Sequence, residues 1–67
     1  MAHPDSWLIH QARSAATGAR IHAVEQLIGA YRCYAAVLAR RPASDTAQND
    51  FYRTEAMLRA GLRKAAA

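Results

Sequence analysis

Three histidines, one cysteine and five carboxylates are the side chains of this 67-residue chain that could hold a metal, act as a nucleophile or move protons. Their spacing argues against each of these chemistries. His10 and His22 lie about 120° apart on a helical wheel, His3 is in the tail ahead of the first expected helix, and no pair has the i, i+4 spacing that presents two ligands from one helix. Only a dimer, by pairing two copies of His22, could assemble a site. Cys33 has Arg32 beside it, but that side chain points to another face, so Cys33 lacks the cationic setting of a reactive thiolate and reads as a small packing residue. Asp5, Glu25, Asp45, Asp50 and Glu55 are dispersed, two of them at helix caps, and none is paired for general acid and base work. Gly18, Gly29 and Gly61 stand alone, which excludes a phosphate-cradling loop. The expectation is a protein that is not an enzyme and takes no cofactor, metal or small-molecule substrate.

Binding chemistry is better represented. Eight arginines and one lysine give a net charge of +4 and a bias toward acidic partners. Tyr52, Arg59 and Arg63 recur at i, i+7, i+11, which lines them up on one face of a helix, and Trp7 is a second aromatic anchor. Tyrosine, tryptophan and arginine are the residues most enriched at the energetic centres of protein interfaces. Guanidinium forks also grip phosphates, so RNA or DNA is the alternative partner. Arg13, Arg20 and Arg32 scatter around the first helix and form no continuous basic stripe, and no short helix-turn-helix is present. The primary expectation is a larger protein partner, contacted by Tyr52, Arg59, Arg63 and Trp7.

These residues must be held by helices, because no segment alternates apolar and polar residues with period two. Asp5 or Ser6 can cap a first helix, and Arg40-Arg41-Pro42 ends it, since cations suit a last turn and proline disfavours helix in the residue before it. Ser44 and Asp45 offer a second cap, with Gln48 in capping-box position to Asp45. The apolar series Leu8, Ala12, Ala15, Ala19, Ala23, Leu27 keeps helical spacing throughout. It predicts a long helix over about 6–40 and a second over about 45–65, joined as an antiparallel hairpin in a single helical domain, 1–67. Thr17-Gly18 is the weak point, and the alternative is a three-helix bundle broken at Gly18.

The long helix carries two opposed faces. Val24, Leu27, Ile28, Tyr31, Tyr34, Ala35 and Leu38 span an arc of about 120° that faces the second helix. Phe51 is expected near Tyr31 or Tyr34, and Leu58 and Leu62 near Leu27 and Val24. Ala15, Gly18, Ala19, His22, Gln26, Gly29, Cys33 and Ala36 form the other face, made mostly of small side chains. In a lone hairpin this strip and the overhanging Trp7, Leu8 and Ile9 would stay in water. Packing against a second copy would bury both, so a four-helix homodimer is expected, with Ala15, Ala19, His22, Gln26, Gly29, Cys33 and Ala36 at its interface.

In architecture, this hairpin resembles small dimeric helical-hairpin regulators: the plasmid copy-number proteins of the Rop type, which bind paired RNA loops, and compact phage-encoded inhibitors that dock onto host proteins. The resemblance implies a regulator, with either a protein or an RNA as its target. One cysteine rules out an intrachain disulfide, and the longest apolar run, Ala35 to Ala39, is far short of the roughly 20 residues of a membrane span, so a cytoplasmic protein is expected.

Overall fold

The computed structural model describes residues 3–66 and is all-α. Among those residues it has no strand and three helices: α1 (Ser6–Ala15), α2 (Arg20–Arg40) and α3 (Asp45–Ala66). Residues 1, 2 and 67 of the expected domain lie outside the described residues. The starts of α1 and α3 and the end of α2 each have a local cause. The Asp5 carboxylate accepts from the Leu8 amide at 3.1 Å and caps α1. The Ser44 hydroxyl accepts from the Ala47 amide at 3.2 Å and caps α3. Gln48 donates its side-chain amide to the Pro42 carbonyl at 2.8 Å, tying α3 to the turn before it instead of closing a capping box on Asp45. At the end of α2 the Arg41 amide bonds to the Val37 and Leu38 carbonyls, after which Pro42 has no amide to continue the ladder.

The single long helix over 6–40 does not form. Ala16 turns extended (φ −75°, ψ 132°) and Gly18 adopts φ 58°, the left-handed region open to glycine, so α1 folds back on α2 and α3. Burial decides this. A continuous helix would leave Leu8 and Ile9 overhanging, whereas the break places both in the core beside Ala12, with Leu8 only 2% exposed. The arrangement is the three-helix alternative with its break at Gly18.

α2 and α3 run antiparallel, and Tyr31 stacks on Phe51 with ring centroids 5.1 Å apart. Around that pair lie Ile28, Ala35, Leu38, Ala47 and Leu58. Thr54, buried in the seam of α3, donates its hydroxyl to the Phe51 carbonyl at 2.8 Å and is satisfied within its own helix. α1 lies across the half of this pair away from the Pro42 turn and is fastened at both ends. At its start the Asp5 amide donates to the Tyr31 hydroxyl (2.9 Å), that hydroxyl donates to Glu55 (2.7 Å), and Arg59 reaches both Asp5 (3.4 Å) and Glu55 (3.8 Å). Near its end Arg13 makes a two-pronged ion pair with Glu25 at 2.6 and 3.0 Å.

Candidate functional site

The residues expected to meet a partner fall into two groups. Trp7 is 67% exposed on the outer side of α1, with His10 beside it at a ring separation of 6.0 Å. It borders a shallow groove with Leu62 and Ala65, the stretch of α3 that also carries exposed Arg63. Tyr52 is 56% exposed, about 16 Å along α3 from Arg63 at 1.5 Å per residue. Its ring meets Phe51 edge-on, so an exposed aromatic is backed by a buried one.

Arg59 sits between these two but is engaged inside the molecule by Asp5 and Glu55. That role was not visible in the sequence, because Asp5 reaches Arg59 only once α1 has folded back. Arg63 remains the uncommitted cation of the trio, with no ion pair among the described residues.

The small-residue strip is divided by the break. His22, Gln26, Gly29, Cys33 and Ala36 lie exposed along the outer face of α2, where Gln26 bonds to His22 at 3.2 Å and a Cβ built on Gly29 would meet nothing within 4 Å. Ala19 is exposed in the linker just before α2. Ala15 belongs to α1 and faces inward on a cleft instead. Of the expected overhang, Leu8 and Ile9 are covered within one chain and give no reason for a second copy, while Trp7 stays exposed.

That cleft is the feature the sequence did not disclose. It opens where α1, the start of α2 and the end of α3 converge, has a volume of about 200 Å³, and is lined chiefly by alanine and leucine with Arg20 at its edge. Its walls come from three separate helices, and no spacing along one of them could signal it. Among the described residues no cluster of His, Cys, Asp or Glu is placed to hold a metal ion. Among the described residues no helix is long and apolar enough to cross a membrane.

No family model, curated protein or solved structure matches this chain.

Proposed function

We propose that this chain is a small non-catalytic binding protein that modulates or inhibits a larger protein by docking on it. The observation that carries the reading is the division of its aromatics. Tyr31 and Phe51 are buried against each other, while Trp7 and Tyr52 stand more than half exposed outside the apolar core. Tryptophan and tyrosine are enriched at the energetic centres of protein interfaces, which makes these two exposed rings the anchors of the proposed docking. Trp7 borders the groove that Leu62 and Ala65 of α3 also line, Arg63 is exposed on that stretch of α3, and Tyr52 is exposed about 16 Å back along the same helix. A short bundle held by three packed helices loses little conformational entropy on docking, which suits steric inhibition.

The test is capture of partners from the native lysate, with nuclease added, by wild type and by Tyr52→Ala and Arg63→Glu. Retention by wild type and loss in either variant is the expected result. Capture abolished by nuclease, or affinity falling linearly with log salt with a slope of several units, would assign the arginines to nucleic acid and support the RNA- or DNA-binding alternative.

The same reading includes a homodimer formed through His22, Gln26, Gly29, Cys33 and Ala36 on the outer face of α2. Because the space around Gly29 is open, Gly29→Leu adds no clash within one chain. The variant should therefore keep its helix content yet sediment as a monomer where wild type sediments as a dimer. Equal masses for the two would remove this interface.

A further inference from the structure

Away from the Pro42 turn, the three helices meet on small residues. Ala12, Ala15 and Ala23 are too short to close the junction, so the cleft of about 200 Å³ persists over a floor formed by Leu58 and Leu62. Arg20 supplies the one charge on its lining. Its guanidinium touches the Gly61 carbonyl at 3.5 Å, the long limit for such a bond, and has no ion pair among the described residues. Most of its five donors therefore remain open at the cleft's rim.

An apolar hollow with an unpaired cation at its edge complements a molecule that is apolar along its length and anionic at one end. We propose that the cleft binds an aliphatic carboxylate, with its chain along Leu58 and Leu62 and its carboxylate forked onto Arg20. Dry apolar cavities of about 150 Å³ admit a benzene ring, so this volume suits a chain of about eight carbons. The molecule is a ligand and not a substrate, since no nucleophile or acid–base pair lines the cleft. The cleft shares Ala15, Leu62 and Ala65 with the groove beside Trp7 but is not lined by Tyr52 or Arg63, so loss of octanoate binding and loss of partner capture are separate outcomes.

The experiment is a titration of the whole protein with sodium octanoate, followed by amide chemical shifts, with 1-octanol as the uncharged control. Saturable shifts should centre on Ala15, Ala23 and Gly61, and octanol should bind about tenfold more weakly. Arg20→Gln, at an exposed position, should weaken octanoate about tenfold and leave octanol unchanged. Ala23→Leu, which fills the hollow from an exposed position on α2, should weaken both ligands, with circular dichroism verifying that the fold is retained. Equal affinity for octanoate and octanol, an unchanged Arg20→Gln, shifts centred on Trp7 and Tyr52, or no saturable shift at all would each overturn the proposal.

Discussion

Tyr31 uses its hydroxyl twice, accepting from the Asp5 amide and donating to the Glu55 carboxylate, and so touches α1 and α3 from the middle of α2. Burial pushes its phenol up to about 12; the Asp5 amide opposes this, while the bond to Glu55 and the nearby carboxylate charges add to it. A folded-state value above the ordinary 10 means that the neutral phenol favours the native state. This contribution is whole below pH 10 and is lost as pH rises toward 12. Urea denaturation should therefore show stability falling across that interval, and Tyr31→Phe should flatten the fall. The same variant should cost about 1–2 kcal/mol at neutral pH, because Glu55 and the Asp5 amide lose a partner. A steep alkaline fall persisting in Tyr31→Phe would assign it to other groups. Helical spacing and the short Pro42 turn place Phe51 near Tyr31 or Tyr34, and the structure stacks it on Tyr31, whereas the hydroxyl's two partners converge only through the fold of α1 and so are not legible from any local pattern.

Among the elements, the linker between α1 and α2 shows where local propensity yields to burial. Alanine-rich sequence on both sides favours helix, and the apolar spacing continues through it, so a reading based on period alone runs α1 into α2. Gly18 resolves the competition because it can take φ 58° without the steric cost that other residues meet there. Gly18→Ala should consequently destabilise the protein by about 1–2 kcal/mol, although the added methyl meets nothing within 4 Å. Gly29, in the middle of α2 with equal room, should behave oppositely, and Gly29→Ala should stabilise by up to about 1 kcal/mol. Thermal melts of the two variants give the comparison directly. Matching signs would mean that backbone conformation is not what separates the two positions. The caps at Asp5 and Ser44 and the stop at Pro42 were readable because each acts within four residues of itself.

At the scale of the whole molecule, α2 and α3 bury an aromatic stack between them, whereas α1 adds a ten-residue helix held by Leu8, Ile9, Ala12 and charged fastenings at both ends. Arg13's hydrogen bond to Glu25 is the main cause holding that carboxyl below its usual range. Such a lowered value contributes stability above the ordinary carboxylate range that is lost as pH falls through the folded value. Hydrogen exchange below about pH 4 should therefore show α1 amides losing protection before those of α2 and α3. Simultaneous loss in all three helices would mean that the Arg13–Glu25 pair carries no separate weight. The helical class and the α2–α3 seam follow from sequence periodicity, while α1's position depends on contacts between residues as far apart as Asp5 and Arg59.

The chain's one indole, Trp7, stands in solvent on α1, and its one thiol, Cys33, stands in solvent on α2. A dye coupled to that sulfur and chosen to absorb tryptophan emission would turn any swing of the first helix against the second into a change of fluorescence colour. In dilute solution the native sequence thus supplies both ends of a molecular ruler, without the introduction of a single new residue.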